Sequence, residues 1–289
     1  MVTLNILMLG GTGYLGSKVA KRLLKDGHNV TCTKRVSSDL SRIQSTKVNW
    51  IPASIDAIET STRYQNFDFV LNMVCNYGRS NVLYDNVVEA NLVFPLKALN
   101  QAVEQGIKNF MTIGTGLPDE LNMYSFSKKM FSDAGRFYVD KHNINFYNMR
   151  LEMFYGADEP TNRFLPSVIH NMINGNEVDT TLGTQKRDII AAEDIVEAII
   201  MVMNSNLKGY QEISVGTGVA PTISEVIEFI WDETGNNTKW NKGTVPMRTN
   251  EPDCVADTTI LRSIGEWNPV DWKTGIHNMI VDMKNNIGG

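Results

Sequence analysis

Short apolar runs alternate with amphipathic stretches through the first half of the chain. Residues 4–9 form an apolar run ended by glycines, which is typical of a strand buried on both faces. Residues 14–26 then place leucines and a valine at helical spacing before Gly27. The alternation continues, with strands predicted at 29–33, 47–52, 68–74, 109–113 and 144–149 and helices at 81–105 and 123–141. The pattern predicts an α/β fold, a doubly wound parallel sheet with helices on both faces.

After residue 150 the pattern becomes less regular. Helices are predicted at 163–174, 192–204 and 222–235, with an extended segment at 183–190 and otherwise short strands and loops. We expect a cofactor domain from residues 1–150 together with about 187–204. A smaller, irregular C-terminal substrate lobe should then comprise 151–186 and 205–289.

Composition narrows the class of protein. A chain of 289 residues with a net charge of −5 lacks the basic excess of a phosphate-backbone binder, so we expect no nucleic-acid partner. No run approaches the roughly 18 apolar residues that cross a bilayer, so no membrane association is expected. The three cysteines are far apart and lack metal-ligand spacing, which predicts no metal site and a reducing, cytoplasmic location.

The segment 10–16, Gly-Gly-Thr-Gly-Tyr-Leu-Gly, follows the first strand and opens the first helix. In that position Gly10 permits a tight turn, Gly13 lets the backbone approach a pyrophosphate, and Gly16 lets the helix pack on the sheet. The helix N-terminus offers unpaired N–H groups to the anion. The segment predicts a dinucleotide site, and the alternative is a tight turn without a ligand.

The end of the second strand bears on the choice of cofactor. An acidic residue there would bind the ribose 2′-hydroxyl of NAD. This chain has Thr33-Lys34-Arg35, and two cations suit a 2′-phosphate. NADP(H) is therefore favoured and NAD(H) remains possible. The alternative is a solvated pair of loop charges.

Tyr124 and Lys128 are four residues apart on a predicted helix and so share a face. A nearby ammonium favours the phenolate and would lower the tyrosine pKa from its usual value near 10. Thr115 follows the preceding strand, where its hydroxyl could hold a carbonyl oxygen beside Tyr124. The alternative is a surface pair with no chemical role.

These motifs together resemble the extended short-chain dehydrogenase/reductase superfamily, and within it the nucleotide-sugar epimerases and reductases. Residues 148–156 are similar to that family's Arg-x-x-x-x-Tyr-Gly segment, and 186–195 to its Arg-Asp-x-x-x-x-x-Asp element. Asn91 stands where the family has an asparagine in the long helix. The resemblance implies a Rossmann-type fold.

The resemblance also implies roles for individual residues. The catalytic set would be Thr115, Tyr124 and Lys128. The cofactor contacts would be Gly10, Gly13, Tyr14, Leu15, Gly16, Lys34, Arg35, Ser54, Ile55, Met73, Val74 and Asn91. The substrate contacts would be Glu152, Phe164, Arg187 and Arg248, where the alternative for Arg187 is an ion pair with Asp188 or Asp194. A homodimer is expected through the helices at about 81–105 and 123–141, unless their apolar faces belong to the core.

The implied activity is NAD(P)H-dependent reduction of the C4 ketone of a nucleotide-activated 4-keto-6-deoxyhexose, in deoxysugar synthesis for surface polysaccharide. An NAD-dependent nucleotide-sugar 4-epimerase shares the catalytic residues and stays open. The cations at 34–35 favour the reductase, as does Glu152, which replaces the Asn of most 4-epimerases. A 4,6-dehydratase is disfavoured because Gly116-Leu117 stands where its Asp-Glu pair would be. A non-catalytic, cofactor-sensing protein is the remaining alternative.

Overall fold

The computed structural model describes residues 2–44, 46–79, 82–156, 158–248 and 251–287. The chain divides into two compact units. The first comprises residues 1–150 and 199–213, and the second comprises 151–198 and 214–289.

A seven-stranded sheet organises the first unit. Its strands are β1 (Asn5–Leu9), β2 (Asn29–Lys34), β3 (Asn49–Pro52), β4 (Phe69–Asn72), β5 (Asn109–Thr115), β6 (Asn145–Leu151) and, later in the chain, β10 (Tyr210–Val215). The helices between them are α1 (Tyr14–Lys25), α2 (Ile55–Tyr64), α3 (Tyr84–Val88), a π-helical turn (Glu89–Val93), α4 (Phe94–Glu104) and α5 (Met123–Lys141).

The strand order is β10-β6-β5-β4-β1-β2-β3, and β1 pairs in parallel with both β2 and β4. The chain therefore winds outward from β1 in both directions, which is the Rossmann arrangement that the sequence predicts. Ligands of such sheets bind at the carboxyl ends of the strands where the order reverses, here between β1 and β4.

Three phenylalanines pack where α5 crosses the sheet. The rings of Phe110, Phe131 and Phe146 have centroids 5.5 to 5.9 Å apart and are almost fully buried. Gly135 of α5 lies against the same cluster, since a Cβ there would come within 2.4 Å of the Phe146 ring. Close helix–sheet packing thus fixes the position of α5 on the sheet.

The second unit is built on short strands and longer helices. Its elements are β7 (Met153–Tyr155), α6 (Phe164–Ile173), β8 (Val178–Thr180), β9 (Ile189–Ala191), α8 (Ile223–Glu233), β11 (Trp240–Lys242), α9 (Thr259–Ile264) and α10 (Trp272–Ile287). Helix α7 (Ala192–Met203) crosses the boundary, which falls after residue 198. An apolar cluster from α6, α8 and α10 forms this unit's core.

The structure differs from the predicted domain boundaries at α7 and β10. The sequence pattern predicts that all of 187–204 belongs to the cofactor domain and 205–289 to the lobe. Contacts instead place 187–198 in the second unit and 199–213 in the first. The reason is that β10 adds to the first unit's sheet beside β6, which its short apolar pattern did not reveal.

Candidate functional site

The turn from β1 to α1 has the geometry of a pyrophosphate site. Gly10 adopts φ +82°, and a Cβ on Gly16 would lie 2.4 Å from the Gly10 carbonyl oxygen. A Cβ on Gly13 would meet just that same oxygen, at 3.6 Å, so this edge of the turn is open. No side chain caps α1, whereas Ser54, Asn122 and Thr222 cap α2, α5 and α8. The first turn of α1 therefore lacks a side-chain cap where an anion could bind, and the turn fits a dinucleotide.

The end of β2 lies beside this turn. The Gly10 N–H donates to the Thr33 hydroxyl at 3.2 Å, which places the following Lys34 and Arg35 next to the glycine turn in space. The Lys34 ammonium lies over the Trp50 ring at 5.7 Å, and Arg35 is exposed. Neither forms an ion pair within the part of the chain that the structure describes. Both cations are thus free of carboxylates at the place where the sequence predicts a 2′-phosphate.

The segment after β4 closes the other side of the turn. The Met73 N–H donates to the Leu9 carbonyl at 2.8 Å, and a Cβ on Gly10 would meet the backbone of Met73 and Val74 at 3.1 Å. Ser54 and Ile55 lie at the end of β3, where the Ser54 hydroxyl accepts from the Ala57 N–H at 3.3 Å as the cap of α2.

Asn91 occupies the π-helical turn and is fully buried. Its amide accepts from the Asn76 N–H and donates to the Asn76 carbonyl, both at 2.8 Å, and also donates to the Ser127 hydroxyl at 3.1 Å. The side chain therefore clamps the segment after β4 to helix α5. Its predicted contact with a cofactor stays a prediction, and the structure gives it this anchoring role.

Thr115 and Tyr124, two of the predicted catalytic residues, lie near each other in the structure. Thr115 ends β5 and Tyr124 lies in the first turn of α5, and the Thr115 hydroxyl is near enough to the phenol to lower its pKa. Burial raises the pKa of Tyr124 well above its ordinary value, and the neighbouring Cys75 and Tyr77 raise it further, against the lowering effect of Thr115. The phenol is therefore held in its protonated form.

Lys128 lies one turn further along α5 and is buried. Its ammonium donates to the Val74 carbonyl oxygen at 3.0 Å, and burial lowers its pKa. From the four-residue spacing, this ammonium is expected to lower the pKa of Tyr124. The structure shows a raised pKa instead, because desolvation of the phenol outweighs the other influences.

Two residues beside Tyr124 were missed by the sequence analysis. Cys75 is near enough to Tyr124 to raise the pKa of its phenol, and the Tyr77 ring lies 5.1 Å from the Tyr124 ring between centroids. Arg79 in turn lies over Tyr77, 5.2 Å from its centroid. The sequence could have indicated these residues by their position alone. They follow β4, the neighbour of β1, at the edge of the sheet where ligands bind.

The predicted substrate residues belong to the second unit. Glu152 is half-buried between β6 and β7, Phe164 is the 43% exposed first residue of α6, and Arg248 is exposed. Arg187 is buried, and its guanidinium pairs with Glu251 at 2.5 Å and donates to the Pro252 carbonyl at 2.6 Å. The partner is thus neither of the aspartates considered for it. A phosphate contact at Arg187 remains a prediction and would compete with Glu251.

Two further properties concern metals and membranes. Among the described residues no three His, Cys, Asp or Glu side chains are grouped so that they could hold a metal ion. In the same part of the chain, no helix combines the length and apolar character that a membrane span requires.

Comparison with known proteins places these features in a family. The chain is 28% identical to CDP-abequose synthase of Salmonella muenchen, over 96% of this chain and 98% of that protein. Its fold matches the UDP-glucose 4-epimerase of Thermotoga maritima solved with UDP-glucose, with a TM-score of 0.88, 18% identity and coverage of 98% and 100%. It also matches the Thermus thermophilus UDP-glucose 4-epimerase complex with NAD, with a TM-score of 0.82, 19% identity and coverage of 97% and 99%. At these identities the two structures show the fold alone. The model of the NAD dependent epimerase/dehydratase family matches residues 6–216, and the chain belongs to that family.

Proposed function

We propose that this protein reduces the C4 ketone of a nucleotide-activated 4-keto-6-deoxyhexose with NADPH. The observation that carries the proposal is the similarity to CDP-abequose synthase over nearly the whole of both chains. The neighbouring hydroxyls of Thr115 and Tyr124 supply a suitable site for a ketone oxygen, next to a turn that fits a dinucleotide.

In this proposal each side chain has one task. A bound nicotinamide coenzyme supplies the hydride. Thr115 donates a hydrogen bond to the ketone oxygen, and Tyr124 donates the proton that completes the alcohol. Lys128 binds the coenzyme ribose from its buried position on α5. The raised pKa of Tyr124 keeps its proton in place, and the protonated phenol is the form that a reduction consumes.

The preference for NADPH rests on Lys34 and Arg35. Both lie beside the glycine turn without a carboxylate partner, so a 2′-phosphate would gain charge-assisted hydrogen bonds without displacing an existing ion pair. NAD(H) is the second choice, in keeping with the family to which the chain belongs.

The competing function is a nucleotide-sugar 4-epimerase. Its support is the fold similarity to UDP-glucose 4-epimerases and the identical demand for a hydroxyl pair and a lysine. In that reaction Tyr124 would first remove a proton from the C4 hydroxyl and later return it, so the same phenol serves both functions.

The deciding experiment uses the purified full chain. NADPH and NADH are each offered with a panel of 4-keto-6-deoxy nucleotide sugars, and the absorbance of the reduced nicotinamide is followed. A reductase consumes the coenzyme in proportion to the substrate added, with NADPH preferred. Unchanged absorbance with every sugar, together with NAD retained through purification, would overturn the proposal in favour of the epimerase.

A non-catalytic sensor is tested by Tyr124→Phe, with Tyr64→Phe on an exposed tyrosine as the control. The enzyme proposal expects turnover to fall by at least about 100-fold in Tyr124→Phe alone, with cofactor affinity retained. If the parent binds the cofactor and turns over no nucleotide sugar, the sensor is the better description.

We further propose that the protein forms a homodimer through α3, α4 and α5. Exposed aromatic side chains on this surface support it, among them Phe137 of α5, which is 59% exposed, and Tyr84 of α3, which is 68% exposed. Light scattering should give twice the chain mass of 32.4 kDa, and Phe137→Glu should lower it. A monomeric parent would contradict the proposal.

A further inference from the structure

We propose that Glu212 is a positioning residue that sets Thr115 and Tyr124 at their working separation. It lies on β10, at the edge of the first unit's sheet, and touches neither hydroxyl. Its carboxylate is instead connected to the strand that carries Thr115 and to the helix that carries Tyr124. The proposal rests on the proposed function, which gives those two hydroxyls their role.

One connection runs through Arg150 to Thr115. The Glu212 carboxylate accepts from Nη1 of Arg150 at 3.1 Å. Nε of the same guanidinium donates to the main-chain carbonyl of Thr115, also at 3.1 Å. Because a guanidinium is planar and rigid, the carboxylate on one side fixes the carbonyl on the other.

The second connection runs to α5 through Ser132. The other Glu212 oxygen accepts from the Tyr210 hydroxyl at 2.9 Å and from the Ser132 hydroxyl at 3.3 Å. The hydroxyl oxygens of Ser132 and Tyr210 are 2.6 Å apart and share a hydrogen bond. Ser132 is one turn beyond Lys128 and two turns beyond Tyr124, so all three lie along one face of α5.

Asn148 of β6 joins the two connections. Its amide donates to Ser132 at 2.8 Å and to Glu212 at 3.3 Å. Its Oδ1 lies where a Cβ on Gly114 would come within 2.3 Å, directly before Thr115. The end of β5 is therefore held both by packing from Asn148 and by the hydrogen bond from Arg150.

The charge of Glu212 is maintained by its neighbours. Burial raises its pKa, but the hydrogen bond from Tyr210 and the charge and hydrogen bonds of Arg150 lower it more. The Arg136 guanidinium lies over the ring of Tyr210, 4.3 Å from the ring centroid. Asp119 is the other carboxylate near Arg150, at 4.0 Å. An ionised Glu212 thus accepts from donors on β6, β10 and α5 at once.

The consequence concerns catalytic geometry. Thr115 stands at a strand end and Tyr124 at a helix start, so neither element by itself determines the distance between the two hydroxyls. A displacement of about 1 Å at reacting groups costs roughly 100-fold in rate. Losing the carboxylate should therefore lower kcat much more than it raises KM.

The test compares Glu212→Ala and Glu212→Gln with Asp26→Asn, which removes a carboxylate that pairs with Arg22 at 2.7 Å on α1. We expect kcat to fall by about 30-fold or more in Glu212→Ala and less in Glu212→Gln, with KM within about twofold. Asp26→Asn should leave both parameters at the parent value. Glu212→Ala should add little further loss in a Thr115→Val background, because the hydroxyl that Glu212 positions through Arg150 is then already absent. If the loss of kcat in the double variant equals the product of the losses in the two single variants, the proposal is overturned.

A second measurement does not depend on turnover. Amide hydrogen exchange, followed by mass spectrometry of peptides covering 109–117 and 123–135, should accelerate in Glu212→Ala and remain at the parent rate in Asp26→Asn. Unchanged exchange in both peptides would overturn the proposal even if no sugar is turned over. If exchange is faster in Glu212→Ala but the parent lacks reductase activity, the proposed function is refuted and the positioning of the two hydroxyls by Glu212 stands.

Discussion

The ammonium of Lys128 donates a hydrogen bond to the carbonyl oxygen of Val74 at 3.0 Å, and so joins helix α5 to the segment that follows β4. That segment also packs against Gly10 of the glycine turn. Lys128 is thus linked to the predicted cofactor site by a hydrogen bond to the main chain of the segment that packs on the glycine turn.

Replacing Lys128 with methionine should remove catalysis with little loss of stability. Methionine fills the buried space without the charge, so we expect turnover to fall by at least about 100-fold and the unfolding free energy to change by about 1 kcal/mol or less. Steady-state kinetics and thermal unfolding measure the two effects. Lys129→Met, on the adjacent residue that pairs with Asp133 at the surface, is the matched control and should behave like the parent. Equal kinetics for the two variants would contradict the assignment of Lys128.

Changing Arg35 to aspartate should reverse the cofactor preference. A carboxylate at the end of β2 repels a 2′-phosphate and can accept from a ribose hydroxyl. The ratio of NADPH to NADH affinity should fall by at least about tenfold, as expected for losing one charge-assisted contact of roughly 1.5 kcal/mol. Fluorescence titration of both coenzymes measures it. Lys47→Asp, an exposed charge change before the amino end of β3, should leave the ratio unaltered. If both variants keep the parent ratio, Arg35 does not face the 2′-phosphate.

Adding a methyl group at Gly16 should disrupt the glycine turn. The new Cβ would lie 2.4 Å from the Gly10 carbonyl oxygen, and a backbone atom cannot move aside as a side chain can. We expect Gly16→Ala to cost about 1–3 kcal/mol of stability. Cofactor affinity should weaken as well, because helix α1 must shift. Lys21→Ala, at an exposed position of the same helix, is the control. Calorimetric titration with normal affinity in Gly16→Ala would show that the turn does not contact the cofactor.

Asp188 should be a stability determinant of the second unit. It is fully buried and accepts from the Thr217 N–H and hydroxyl at 2.8 and 2.7 Å and from the Gly218 N–H at 2.8 Å. Asparagine replaces one acceptor oxygen with a donor, which leaves buried donors facing each other. Asp188→Asn should therefore cost about 2–4 kcal/mol, measured by urea unfolding. Asp282→Asn on the exposed face of α10 should cost nothing measurable.

Acid stability should depend on Glu212. Its neighbours lower its folded-state pKa below the ordinary glutamate value of about 4.3. A lowered carboxyl pKa stabilises the folded chain above the unfolded-state pKa, and the contribution disappears as the pH falls through the folded-state pKa. The stability difference between the parent and Glu212→Gln should thus be full at neutral pH and shrink below about pH 4. Urea unfolding at several pH values measures it, and a difference that grows in acid would contradict the direction of the shift.

Some features followed from the sequence because they are local. The glycine turn, the four-residue spacing of Tyr124 and Lys128, and the strand that ends at Thr115 each depend on residues adjacent in the chain. Helix α2 was missed although it is equally local, because its ten residues include few apolar positions to mark a period. The long helix predicted at 81–105 is interrupted by a π-helical turn. The spacing of apolar residues does not distinguish such a turn from a continuous α-helix.

The amino-acid sequence by itself determined the alternating α/β architecture, the glycine turn and the candidate hydroxyl and lysine groups, since neighbouring residues and periodicity specify them. The tertiary structure decided the partners of the buried polar groups. Asn91 clamps Asn76, Arg187 pairs with Glu251, and Glu212 joins β5 to α5. These contacts link residues 15 to more than 60 positions apart in the chain. Burial and strand order set them, and no local pattern encodes which distant donor will meet which acceptor.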